Sequence, residues 1–162
     1  LEFRRVLFRS FLSRAMQDGI DREPHGRFAY ETKFGVLVVE TGLLMHKDLK
    51  CGASPDGLIG DSGGFELKCP VEATHFDYLK LPKGECPPEY FWQCMGGMWI
   101  TEREWWDFCS YCPSYPEDLE LIRRRVYRND IAIKQLEEGV KKFIEELDEA
   151  EKFARAYKDP EI

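Results

Sequence analysis

The sequence predicts an α/β domain, a mixed sheet flanked by helices. Three observations predict it. VLVVET (36–41) and WWDFCSYC (105–112) are β-branched and aromatic runs that read as strands. SPDGLIGDSGGFELKCP (54–70) reads as a hairpin, two short strands around a Gly-rich turn. Segments of helical period stand before, between and after these strands.

With 162 residues the chain is one domain by size, read as residues 12–156 with a tail at 157–162. Apolar residues make up 43% and charged residues 33%, as in an ordinary globular protein. The net charge of −7 argues against a nucleic-acid binder that works by bulk positive charge. It does not argue against an enzyme whose carboxylates hold divalent cations. No apolar run approaches the length of a membrane span, and no secretory leader is read. The six cysteines are therefore expected as reduced thiols, and the protein as cytoplasmic.

In chain order, LEFRRVLFRS sits oddly, and residues 1–11 are read as a truncated or non-native segment. The alternative is a basic DNA-contacting arm built on Arg4, Arg5, Arg9 and Arg14. Residues 18–33 are helical, with the regular helix starting near Arg22 or Glu23, because Pro24 suits a first turn. After the strand at 36–41, Gly42 turns the chain into LLMH as its antiparallel partner. The hairpin follows, then a short helix, ATHFDYLKL, and a loop, KGECPP. Pro87 and Pro88 open the helix EYFWQCMGGMWI, which runs to about Thr101. Gly96 and Gly97 each cost a helix roughly 1 kcal/mol relative to Ala, so close packing against the sheet is their expected use. LELIRRRVYR is a strand near an edge, its arginines either blunting that edge or meeting phosphate. From Asp130 one long helix carries a stripe of Ile133, Leu136, Val140, Phe143, Ile144 and Leu147.

The chemistry concentrates in the hairpin. Side chains at i and i+2 on a strand share a face, so Glu66 and Lys68 point together. Asp56, in a Pro-Asp-Gly turn on the neighbouring strand, can come opposite Glu66. Two converging carboxylates make a hard-oxygen site suited to Mg²⁺ or Mn²⁺, and a lysine beside it can orient or deprotonate water. Taken alone, Glu-x-Lys is common as an ion pair on a solvated strand. The Asp56 turn is what weighs against that.

These residues resemble a known pattern. Asp56-(x9)-Glu66-x-Lys68 after a helix-borne glutamate is similar to the PD-(D/E)XK, restriction-endonuclease-like nuclease core. SPDGL followed by FELKCP more narrowly resembles the lambda-exonuclease-type, YqaJ-like viral recombinase family. GIDREPHGRFAYE resembles that family's G-x-x-x-E-x-x-x-R helix, YFWQCMGGMWIT its Y-x-x-Q-x-Q-x-x-M-W helix, and WWDFCSYCP the following strand. The resemblance spans about residues 12–154.

The resemblance implies a metal-dependent deoxyribonuclease, an exonuclease that degrades one strand of duplex DNA from a 5′ end in phage-type recombination. It implies Asp56, Glu66, the Leu67 carbonyl and Glu23 as ligands of one or two Mg²⁺ (or Mn²⁺) ions. It further implies Lys68 to orient the attacking water, Gln93 to position water or phosphate, and Ser54 and Arg27 toward phosphate. Double-stranded DNA ends, a single-strand annealing protein and a ring-like homotrimer are the partners it suggests.

Two departures stand out. Met95 replaces the family's second glutamine. Where the family has a further segment serving the 5′-phosphate pocket and DNA channel, this sequence has LEFRRVLFRS, so impaired processive digestion is expected. An endonuclease of the same core and a non-catalytic DNA-end module are the competing readings.

Cys109 and Cys112 form a C-x-x-C, but on a strand that spacing splits them between faces, so structural thiols are expected rather than a zinc or iron–sulfur site. His25, His46 and His75 have no ligand spacing and read as ordinary surface or core residues. Trp92, Trp99, Trp105 and Trp106 read as core rather than as base-stacking platforms.

Overall fold

The computed structural model describes residues 13–157. The segment before Leu12, with its arm of Arg4, Arg5 and Arg9, and the tail after Tyr157 lie outside the described residues.

Helix α1 (Arg14–Phe34) is capped by the Ser13 hydroxyl, which accepts from the Met16 amide at 3.2 Å. It ends at Gly35, where φ is 63° and the amide returns to the Glu31 carbonyl. Pro24 lies inside this helix instead of opening it. Tertiary packing overrides the local preference: Gly26 lies directly on Leu67 and Tyr111, and Tyr30 is buried, so the helix is held to the sheet beyond the proline.

The strands and helices that follow are β1 (Val38–Val39), β2 (Leu44–Met45), β3 (Gly52–Ala53), β4 (Gly57–Ile59), β5 (Gly63–Lys68), α2 (Glu72–Leu79), α3 (Pro88–Thr101), β6 (Trp105–Tyr111), β7 (Leu121–Tyr127) and α4 (Asp130–Ala156). The main sheet has the order β1-β4-β5-β6-β7. Only β5 and β6 run parallel, joined by a crossover through α2 and α3. One expected pairing is different. β2 pairs with β3 in a separate ribbon, while β1 pairs with β4 through Val38↔Ile59 and Val39↔Leu58. The Val38 side chain occupies the space that a Cβ on Gly57 would need, which favours this partner for β1.

Helices cover the sheet on both faces. Against α1, Tyr30, Phe65, Leu67, Cys109 and Leu121 form one core. Against α2, α3 and α4, Cys94, Met95, Met98, Trp106, Phe108 and Ile133 form the other. β5 is thus buried on both sides, as a strand beside a parallel neighbour usually is. Gly64 and Gly97 both face the Trp106 indole, and a Cβ on either would enter the ring. Gly97 has the close-packing role expected of it. A Cβ on Gly96 would meet Leu136 at an ordinary 3.6 Å, so Gly96 does not share that role.

Three arginines around the β7 edge, Arg124, Arg125 and Arg128, turn inward, while Arg123 is exposed. Arg124 donates to the Tyr78 and Leu79 carbonyls at the end of α2. Arg128 donates to the Met98 carbonyl near the end of α3, at 2.7 Å. Arg125 makes a two-pronged contact with Asp107, both bonds 2.8 Å long. These contacts use the cations to cap helices and to hold β7 to β6. The α4 stripe is only half used: Ile133 is buried and Leu136 packs on the core, but Phe143 and Leu147 are exposed. No helix among the described residues is long and apolar enough to cross a membrane.

Candidate active site

The hairpin β4–β5 is antiparallel, with Gly57 opposite Phe65. That register continues outward to set Asp56 opposite Glu66. Asp56 Oδ2 accepts from the Leu67 amide at 2.8 Å, which fixes the aspartate across the hairpin and leaves Oδ1 for another partner. Leu67 points to the α1 side, so Glu66 and Lys68 face α3. Glu66 is 1% exposed and Lys68 Nζ donates to its Oε1. The charged face is therefore not simply the wet side of a half-buried strand: Glu66 is buried, while the Lys68 side chain stays 30% exposed.

Two helices complete it. From α1, Glu23 reaches the electrostatic range of both Asp56 and Lys68, and Arg27, one turn on, pairs with Glu40. From α3, the Gln93 side chain lies near enough to Glu66 to favour its charged form, and the two line one cavity. Tyr90, one turn before Gln93, sets its ring 5.4 Å from Lys68 Nζ. Nothing in the sequence reading gave Tyr90 a role. The available signal was its i−3 spacing from Gln93, which puts both on one helix face.

The charges do not balance. Burial first, then the neighbouring Asp56 charge, raises the pKa of Glu66 above the ordinary carboxylate value, against the pull of Lys68. The same two causes raise Glu23. Burial also presses the Lys68 ammonium to lose its proton, but Glu66 and Asp56 outweigh that and its pKa rises. Three carboxylates thus face Lys68, and Arg27, which reaches Glu23, is itself paired with Glu40, an arrangement short of positive charge.

That donor set fits a hard divalent cation, since it consists of carboxylate oxygens with excess negative charge. As they stand, no group of three or more His, Cys, Asp or Glu side chains among the described residues closes around an ion position. The carboxylates are coupled through their fields without enclosing a point, and Lys68 occupies one oxygen of Glu66.

Two cavities open on the pair. One, of about 420 Å³, is lined by Ser54, Pro55, Glu66, Trp92, Gln93 and Trp106 among others. The other, of about 560 Å³, is lined by Met16, Ile20, Glu23, Lys68 and Tyr90 among others. Ser54 therefore shares a cavity with Glu66 and Gln93. Trp106 is core, as expected, whereas Trp92 is 47% exposed and forms a cavity wall.

The remaining candidates are placed elsewhere. Cys109 packs in the α1-side core, and burial holds its thiol well above its usual pKa. Cys112 lies past the end of β6, its amide donating to the Glu120 carbonyl. His75 is fully buried between the Ser110 hydroxyl (2.7 Å) and the Leu119 carbonyl (2.9 Å). His46 accepts from the Asp48 and Leu49 amides in a loop.

A mixed sheet carrying Asp56, Glu66 and Lys68 on its central hairpin, with helices on both faces, defines the restriction-endonuclease-like PD-(D/E)XK class of fold. Residues 6–104 match the model of the YqaJ-like viral recombinase domain, and the chain belongs to that family. Among solved structures it is similar to an alkaline exonuclease, LHK-Exo, from Laribacter hongkongensis. That match has 39% identity and a TM-score of 0.84, and covers 88% of this chain and 73% of the other. The same enzyme in complex with dAMP matches equally. A phage-related exonuclease from Haemophilus somnus 129PT shares the fold at 12% identity and a TM-score of 0.61, over 82% of this chain and 73% of that one. A search of curated proteins gives no match.

Proposed function

We propose that this protein is a metal-dependent DNA exonuclease that hydrolyses one strand of duplex DNA from the 5′ end in phage-type recombination. The observation that carries this is the Asp56–Glu66–Lys68 cluster around a buried Glu66, with Glu23 near it from α1 and Gln93 from α3. Its relatives of known structure are named as exonucleases, which supports the same reading.

Asp56, Glu66, the Leu67 carbonyl and Glu23 would hold one or two Mg²⁺ or Mn²⁺ ions. Such ions, when bound, neutralise charge on the phosphate and make water easier to deprotonate. The chain's own residues do the rest. Lys68 holds the attacking water in line with the phosphorus and draws off developing charge through its N–H groups. Gln93, beside Glu66 in the same cavity, is placed to orient that water or a phosphate oxygen. Ser54 and Arg27 stand toward the phosphate, Ser54 from the cavity it shares with Glu66. Double-stranded DNA ends are the substrate, and a homotrimer working with a single-strand annealing protein is its setting.

The test uses end-labelled linear duplex DNA with 5′-phosphate or 5′-hydroxyl ends, beside covalently closed circles, in Mg²⁺, Mn²⁺ or EDTA. The expected result is loss of nucleotides from 5′ ends of linear DNA only, with divalent metal only. Cleavage of closed circles would make the protein an endonuclease. Undiminished hydrolysis in EDTA would remove the mechanism.

A further inference from the structure

We infer that Tyr90 is a positioning residue for the reaction, its ring face holding the Lys68 ammonium in place beside the scissile phosphate. The inference rests on the nuclease reading above for its consequence, though not for its geometry.

Within the field of Asp56, two groups meet the Lys68 ammonium at contact range. One is Glu66, which receives a hydrogen bond from it. The other is the Tyr90 ring, whose centroid lies 5.4 Å from Nζ, within the range of a cation–π contact. The two differ in what they demand. A carboxylate takes an N–H and competes for it with any other acceptor. A π face attracts the charge and leaves the N–H groups free for water or phosphate.

The ring is not free to wander. It stacks on Phe108, with centroids 5.0 Å apart and planes at 24°. Tyr78 meets it edge-on at 6.4 Å and 81°. Phe108 is fully buried and is the β6 partner of Glu66 in the parallel ladder. The core thus sets the ring's orientation, and the same ladder sets the strand that carries Lys68. Tyr90 also lines the cavity that holds Glu23 and Lys68, so this contact sits at the mouth of the site.

The geometry has a chemical consequence. A cation at the carboxylates would draw electron density from Glu66, whose Oε1 accepts from Lys68, and so would weaken that hydrogen bond. Whatever draws on Glu66 loosens the lysine, and the fixed ring then keeps the ammonium within reach of substrate.

Three measurements test this. In the metal-free protein, nuclear magnetic resonance should show the Lys68 ε-methylene protons shifted upfield by the ring, and the shift should vanish in Tyr90→Leu. In turnover, Tyr90→Leu should lower kcat about tenfold with KM little changed, while Tyr90→Phe stays within about twofold of the parent. Phenylalanines with one, two or three ring fluorines at position 90 keep the shape but drain the π face. Log kcat should fall in step with fluorine number while the melting temperature stays constant.

A flat response to fluorination, or a Tyr90→Phe loss as large as that of Tyr90→Leu, would overturn the inference. So would an unshifted Lys68 resonance. If Tyr90→Leu fails to fold, the fluorinated series still decides. Failure of the nuclease reading is separable, because it would appear as no DNA hydrolysis by the parent protein with Mg²⁺ or Mn²⁺ while the resonance shift persists.

Discussion

The sheet carries two buried acidic clusters, one on each face, and they are built on opposite terms. Against α1, Asp107 is fully buried and oversupplied with donors. Tyr30 donates to it at 2.5 Å, Arg125 donates twice at 2.8 Å, and Arg123 stands at 4.0 Å. Arg125 in turn lies over the Trp105 ring at 3.6 Å, and Arg123 over Phe34 at 3.9 Å. Against α3, Glu66 is just as buried, yet it shares one lysine with Asp56 and Glu23. The first cluster joins α1, β6 and β7. The second leaves negative charge unmatched, which a stable core avoids unless something else is meant to bind.

Four experiments bear on that contrast. The largest expected effect is on chemistry: Glu66→Gln should lower the rate of DNA hydrolysis by about a thousandfold or more, about 4 kcal/mol in barrier, while the protein stays folded. Retained activity would make the two clusters alike. Next, Asp107→Ala should destabilise the protein by about 3 kcal/mol in denaturant unfolding, because it strands Arg125 and the Tyr30 hydroxyl. The low end of the range for a buried pair applies because Arg125 is one-third exposed. A loss under about 1 kcal/mol would mean that the arginines find water easily.

Third, Mg²⁺ or Mn²⁺ at about a hundred times its dissociation constant should stabilise the protein by about 2.7 kcal/mol. A rise in melting temperature reads this, and it should be absent in Glu66→Gln. An equal rise in that variant would place the ion elsewhere.

The smallest effect is a pH dependence. Burial lowers the pKa of His75 below its ordinary 6.5, although the Leu119 carbonyl pulls it up. The unfolded chain then binds this proton at higher pH than the native one. The stability from neutral His75 is whole above about pH 6.5 and is lost as pH falls through the lower native value. Glu23 and Glu66 act with the opposite sign. Their native pKa values lie above 4.5, so the folded state gains protons first, and the metal-free protein recovers stability as pH falls toward that range. Melting temperatures from pH 7.5 to 5 should therefore fall more steeply with saturating Mg²⁺ than without it. Parallel curves would show that the carboxylates do not carry the strain inferred here.

How legible these clusters were depended on distance along the chain. Asp56, Glu66 and Lys68 lie within one hairpin, where a period of two and a short turn decide which side chains meet. Helices α2, α3 and α4 were equally readable, because capping prolines and apolar periods are local signals. The Asp107 cluster was not. An arginine on an alternating strand looks the same whether it faces water or a buried aspartate on the next strand. Pro24 misled for a related reason, since its local penalty says nothing of the packing of Gly26 and Tyr30 that outweighs it. The pairing of β1 with β4 was hidden as well, because strands of two residues carry too little pattern to name a partner.

By itself the sequence determined the α/β class, the hairpin that carries Asp56, Glu66 and Lys68, and the shared face of Glu66 and Lys68, all consequences of local periodicity. Only the tertiary structure decided how deeply Glu66 is buried on that face, how Glu23 and Gln93, which the family resemblance named, approach it from two helices, and that Tyr90 lies against the lysine. Those depend on how layers pack across the sheet, and packing joins residues that no spacing along the chain relates.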